Sequence, residues 1–242
     1  MAEARRVRDL CSSTNSWPSG NTPVPTDPTA SQRPLVAILR GATPDRAAEL
    51  GQTLHRAGIR VIEVPLNSPE PFASVRILHR LALPDCLVGA GTVLAAADVQ
   101  RTFDAGGRLV VAPNCDRDVI RRALDLGMTV MPGIATASEA FQAIDAGAIT
   151  LKLFPAATYG PGHLRALKTV LPATIRMYPV GGIGAADIPA WLAAGADGFG
   201  FGSEIFRPEY DLGEIEKRAR HLLECLARAT RQPPSATEQH GQ

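Results

Sequence analysis

Cysteine is scarce in this chain, and lysine is scarcer. Four cysteines, Cys11, Cys86, Cys115 and Cys225, lie far apart with no CxxC pair. That spacing argues against a disulfide scaffold or a zinc ribbon and makes a reducing cytoplasm the expected setting. An excess of one charge is missing too. The 25 basic and 24 acidic side chains leave a formal net charge of +1, so nothing calls for nucleic acid or an anionic membrane as partner. No apolar run reaches the ~18 residues of a membrane-spanning helix, and the first residues lack the apolar centre of a signal peptide.

Only three lysines stand among those 25 basic residues, and one of them, Lys152, lies inside the apolar run TLKLFP at residues 150–155. On a strand, alternation puts Thr150, Lys152 and Phe154 on one side and Leu151 and Leu153 on the other. An ammonium in such a run is costly to bury unless it is paired or kept partly neutral for chemistry. Two readings follow. Lys152 is a strand-end lysine reaching water along its stem, or an amine that forms a Schiff base with a carbonyl substrate.

The termini differ in composition from the middle. Residues 1–32 hold Pro18, Pro23, Pro25 and Pro28 among Ser, Thr and Asn, too little apolar surface to offset the entropy of ordering. A disordered extension is expected there, a folded domain over residues 33–230, and a disordered tail over 231–242. Within the middle a period appears. Apolar strand candidates begin near Leu35, Arg60, Cys86, Arg108, Thr129, Thr150, Ile175 and Gly198. Helical patterns such as residues 44–57 and 116–127 fill the gaps. Thr43 before Pro44 reads as an N-cap followed by Pro at the first helical position. Gly58, Gly106, Gly127, Gly147 and Gly195 each sit where a helix should stop. Eight alternations of strand and helix predict an α/β fold, a single (β/α)8 TIM barrel. A doubly wound open sheet would normally need fewer strands.

In such a barrel the C-terminal strand ends form the active face. The predicted strands bring Arg40, Glu63, Thr92, Pro113, Lys152 with Phe154, Val180 with Gly181 and Gly182, and Gly202 with Ser203 to that face. Glu63 and Lys152 are the charges placed inside strands, and both can face the lumen; an internal ion pair is the structural alternative. The glycines after strands seven and eight suit phosphate, bound through unobstructed backbone N–H groups. Arg40 supplies a fixed cation for a carboxylate or phosphate. Together these residues describe a pocket with an amine, an acid/base carboxylate and a phosphate cradle.

The motifs AILRG, IEVPLNSP, VGAGTVL, APN, MPGIATASE, LKLFPA, PVGGI and GFGS occur in this order. Over roughly residues 34–229 the chain resembles the 2-keto-3-deoxy-6-phosphogluconate / 2-keto-3-deoxy-6-phosphogalactonate aldolase family. The resemblance implies a homotrimeric (β/α)8 barrel that uses a lysine, no metal and no cofactor. It matches Lys152 to the Schiff-base lysine and Glu63 to the general acid/base. Thr92 matches the residue holding the pyruvyl carboxylate, and Pro113 and Phe154 match residues packed around the pyruvyl carbons. Gly181, Gly182, Gly202 and Ser203 match the phosphate cradle, with Arg40 near the carboxylate or phosphate. Where gluconate-type members carry Arg and Thr, this chain has Asn67 and Val180, as galactonate-type members do. The expected reaction is therefore cleavage of 2-dehydro-3-deoxy-6-phospho-D-galactonate to pyruvate and D-glyceraldehyde 3-phosphate. The same chemistry on the C4 epimer, a phosphosugar isomerase using Glu63 as base, and an inactive binding barrel are the alternatives.

Overall fold

Short apolar runs become strand and period-3.6 hydrophobicity becomes helix in the computed structural model, which describes Pro34 to Arg231. The expected extension at residues 1–32 and all but the first residue of the expected tail lie outside the described residues. Strand β1 (Leu35–Ile38) leads to helix α1 (Pro44–Ala57), β2 (Val61–Pro65) to α2 (Pro71–Arg80), β3 (Leu87–Gly91) to α3 (Ala96–Asp104) and β4 (Leu109–Val111) to α4 (Arg117–Asp125). The fifth strand is split: β5 (Thr129–Met131) stops at Pro132 and β6 (Gly133–Ile134) resumes. Proline has no N–H to give a ladder, but the backbone beside it stays paired. The Pro132 carbonyl accepts from Lys152 N at 2.9 Å, and Gly133 N donates to Asn114 O at 3.2 Å. Helix α5 (Ala137–Asp145), β7 (Thr150–Leu153), α6 (Ala156–Lys168), β8 (Arg176–Pro179), α7 (Ile188–Ala193), β9 (Phe199–Phe201) and α8 (Leu212–Arg231) complete the order.

All strand pairs are parallel. One sheet runs β5-β4-β3-β2-β1-β9 and the other β6-β7-β8, and a parallel bridge between Val180 and Gly200 links their ends. The result is a curled parallel α/β fold wrapped by eight α-helices among the described residues. The strands are buried on both faces, which is why they read as nearly continuous apolar runs. Outward residues such as Ile62, Leu151, Leu153 and Met177 join Leu50, Leu54 and Val75 of the helices in the large core. The concave side has its own cluster of Val36, Val61, Leu109, Val111, Met131 and Tyr178. Above that cluster the strands carry polar groups instead.

Helix ends follow the expected signals with one correction. The Thr43 side chain makes no capping hydrogen bond; its carbonyl accepts from Arg46 N at 3.1 Å. Pro44 presets φ at the first helical position and has no N–H to satisfy, so α1 starts without a side-chain cap. Asp116 caps α4 through Oδ1, accepting from Asp118 N and Val119 N at 2.9 and 3.1 Å. Thr136 and Glu139 form a capping box on α5. The five glycines expected past helix ends all take positive φ. Among the described residues, no helix is long and apolar enough to cross a membrane.

Candidate active site

Glu63 and Lys152 come from different sheets, Glu63 from β2 of the six-stranded one and Lys152 from β7, the middle strand of the three-stranded one. On β2, Val61 and Glu63 face inward while Ile62 faces the helices. On β7 the inward residues are Thr150 and Lys152. Both charged side chains are almost withdrawn from solvent, Glu63 at 2% and Lys152 at 6% exposure. No ion pair joins them among the described residues, although each feels the charge of the other.

Burial governs the protonation of both groups. It pushes the Glu63 carboxyl up to about 7, against the opposing pull of Lys152 and Arg40. It lowers the proton affinity of the Lys152 amine, an effect that Glu63 opposes and the nearby Arg40 cation reinforces. The charged form of each is disfavoured because water cannot solvate it. Glu63 Oε2 is buried with no hydrogen-bond partner, and that too favours the neutral acid. The Lys152 Nζ lies 4.6 Å from the Phe154 ring centroid, so the aromatic face covers the amine.

Space for Glu63 comes from a residue that sequence reasoning passed over. Gly91 ends β3, and a methyl group there would overlap the Glu63 carboxylate. Its signal was present, since Gly91 precedes Thr92 on the strand that pairs with β2. Thr92 follows with φ 55, a left-handed backbone that a β-branched residue rarely adopts. The backbone thus turns sharply where the strand meets the pocket.

A cavity of about 640 Å³ opens at the C-terminal strand ends. Arg40, Thr92, Pro113, Lys152, Phe154, Val180, Gly181, Gly182, Gly202 and Ser203 all line it. Glu63 is the one predicted site residue not among the lining groups; its carboxyl packs against Gly91. Gly181 and Gly182 take φ of 99 and 73, and a side chain at Gly182 would press on the Ala157 methyl group at 2.7 Å. Their turn is held from outside, since Ala156 N donates to Val180 O and Ala157 N to Gly181 O at 2.8 and 3.0 Å. Ile38, Ile183, Gly184, Gly200 and Glu204 also line the cavity and were missed. Glu204 directly follows Ser203 past the last strand, so position alone could have found it.

A bed of glycine N–H groups beside a buried lysine and a carboxyl narrows the chemistry, and comparison with known proteins identifies the family. The family model for KDPG and KHG aldolase matches residues 27–217. The chain belongs to the KDPG and KHG aldolase family. It is 44% identical over 188 residues to a probable 2-dehydro-3-deoxy-6-phosphogalactonate aldolase of Rhizobium meliloti (strain 1021), covering 78% of this chain and 89% of that protein. To the 2-dehydro-3-deoxy-6-phosphogalactonate aldolase of Escherichia coli (strain K12) it is 42% identical over 197 residues, covering 81% and 96%. A native KDPGal structure superposes with a TM-score of 0.81 at 40% identity, covering 82% of this chain and 97% of that one. As a member of the KDPG and KHG aldolase family the chain is a lyase of the aldolase kind.

Proposed function

We propose that this chain cleaves 2-dehydro-3-deoxy-6-phospho-D-galactonate to pyruvate and D-glyceraldehyde 3-phosphate through a Schiff base on Lys152. The observation that carries the proposal is a buried amine lining the pocket and a buried carboxyl close enough to feel its charge, each shifted toward its neutral form. The neutral Lys152 amine attacks the C2 carbonyl and, with a proton given by the Glu63 acid and loss of water, forms an iminium. Glu63, once ionised, takes the proton from the C4 hydroxyl. The C3–C4 bond breaks, its electrons pass into the iminium as an enamine, and the C4 aldehyde leaves. Glu63 then returns its proton to C3, and hydrolysis of the new iminium frees pyruvate and Lys152. A carboxyl with a pKa of about 7 suits both halves of that exchange, because it gives and takes a proton near neutrality.

The remaining roles are those the family resemblance gives to residues that line the cavity. Thr92 holds the pyruvyl carboxylate, Pro113 and Phe154 enclose the pyruvyl carbons, and Gly181, Gly182, Gly202 and Ser203 take the phosphate, with Arg40 beside it. The galactonate-type substrate is favoured by the names of the two relatives and by Val180 and Asn67. An apolar wall rejects a misplaced hydroxyl only weakly, so the C4 epimer should be turned over more slowly rather than excluded. The two sheets are proposed to be one closed eight-stranded barrel, with β5 and β6 as a single interrupted strand and the Val180–Gly200 bridge as the seam. A homotrimer acting in the cytoplasm completes the proposal.

Pyruvate release from the two C4-epimeric phosphorylated sugar acids, compared as kcat/KM, tests the substrate. Preference for the gluconate form would remove Val180 and Asn67 from the account of specificity. Incubation with pyruvate and borohydride tests the chemistry. A mass gain at Lys152 is expected, and no gain would favour the isomerase, which needs no imine.

A further inference from the structure

Arg40 lines the catalytic cavity but is solvent-exposed, and an exposed arginine has many rotamers to lose. Its backbone is fixed from two sides. Gly41 N donates to Ser68 Oγ at 3.0 Å, and Ser68 is buried at 7% exposure. On the other side Pro208 packs against Gly41, with 3.1 Å between its Cγ and the position a Cβ would occupy. Pro208 is itself tied down: its carbonyl accepts from Arg46 Nη1 at 2.6 Å, and the Tyr210 carbonyl accepts from Arg46 Nη2 at 2.8 Å. The guanidinium then makes one hydrogen bond among the described residues, from Nη1 to Asn67 Oδ1 at 2.6 Å. Two consecutive residues after β2 therefore grip two consecutive residues after β1.

The geometry points to Asn67 and Ser68 as a clamp that positions Arg40 at the anion end of the pocket, with Asn67 acting on the substrate through Arg40 and not by touching the sugar. Strand β1 lies between β9 and β2. Beyond its end, Arg40 lines the same cavity as Ser203, which follows β9, and bonds Asn67, which follows β2. The amide oxygen of Asn67 occupies one of the five guanidinium N–H groups and leaves the others for an anion. An arginine at position 67 could not accept this bond and would repel Arg40. On this view the Asn67 position matters to the reaction through the placing of a cation. The inference rests on the aldolase reading for its substrate, though the clamp itself does not need it.

A double-mutant cycle tests it, read both in turnover and in the affinity for inorganic phosphate measured by calorimetry. Asn67→Ala is expected to lower kcat/KM about tenfold, chiefly through KM, and to weaken phosphate binding several-fold. In an Arg40→Ala background the same substitution should change either quantity less than twofold. Asn67→Asp, which keeps an acceptor for Arg40, should recover most of the loss, and Ser68→Ala should give a smaller loss of the same kind. Losses that multiply in the double variant would mean that Asn67 meets the substrate directly, and an inert Asn67→Ala would mean that Arg40 needs no support. Either result overturns the clamp. Should the parent protein turn over neither sugar acid, the aldolase reading fails while the phosphate cycle still decides the clamp.

Discussion

Glu63 makes the site and weakens the fold. Its carboxyl has a usual value of 4.5 and is pushed up to about 7 by burial, so between those values the folded chain binds more proton than the unfolded chain. Stability from this group is full below about 4.5 and is lost as the pH rises through about 7, a loss of roughly 3 kcal/mol if the shift is taken at face value. Glu63→Gln is therefore expected to be more stable than the parent at pH 8, with a smaller difference at pH 5, and to lose turnover by at least about a hundredfold. Urea unfolding at the two pH values checks the first half and a pyruvate assay the second. The parent kcat/KM for cleavage should rise through about pH 7 as Glu63 ionises to accept the C4 proton. Lys152→Arg should be inactive, because a guanidinium that stays charged cannot attack a carbonyl; comparable turnover in that variant would sink the Schiff-base mechanism. Gly91→Ala should unfold at a slightly lower temperature and lose most activity, since the added methyl group meets the Glu63 carboxylate.

Helix α6 and strands β8 and β9 are locked together by one side chain. Asp197 Oδ2 accepts from Lys168 Nζ at 2.6 Å and from Met177 N at 2.8 Å, while Lys168 Nζ also donates to Gly195 O at 2.9 Å. The ion pair is about a quarter to a third exposed, so its charge part is modest; the backbone bond to Met177 carries more of the effect. Asp197→Ala is expected to lower stability by about 1–2 kcal/mol, read by denaturant midpoint. Activity should persist, because the lock sits at the end of β8 away from the pocket. The elements themselves were readable in the sequence. Strand starts expected near Arg60, Cys86, Arg108, Ile175 and Gly198 each fall one residue before the observed strand, and the helix expected over residues 44–57 is found there. Two details were not. Pro132 splits the fifth strand because it cannot donate to its neighbour, and Thr43 leaves α1 uncapped because Pro44 already supplies what a cap would.

At the scale of the molecule, the proposed homotrimer is open to direct measurement. Light scattering tests it: a threefold mass is expected and a monomer would remove it. The pocket draws its walls from both sheets and from the segments after β1, β3, β4, β7, β8 and β9.

Periodicity needs only neighbours a few residues apart, so the sequence by itself determined the alternation of strand and helix and the parallel class. It also singled out Lys152 and Glu63 as the charges inside strands, because a lone ionisable group in an apolar run stands out without any coordinates. Distances between strands do not follow from period. The tertiary structure alone decided that Lys152 and Glu63 are both buried and electrostatically coupled, that Gly91 opens the space for a buried carboxyl, and that Asn67 reaches across 27 residues of sequence to hold Arg40. Each of these depends on how far apart the strands are set and on the register between them, and on the water excluded when they close.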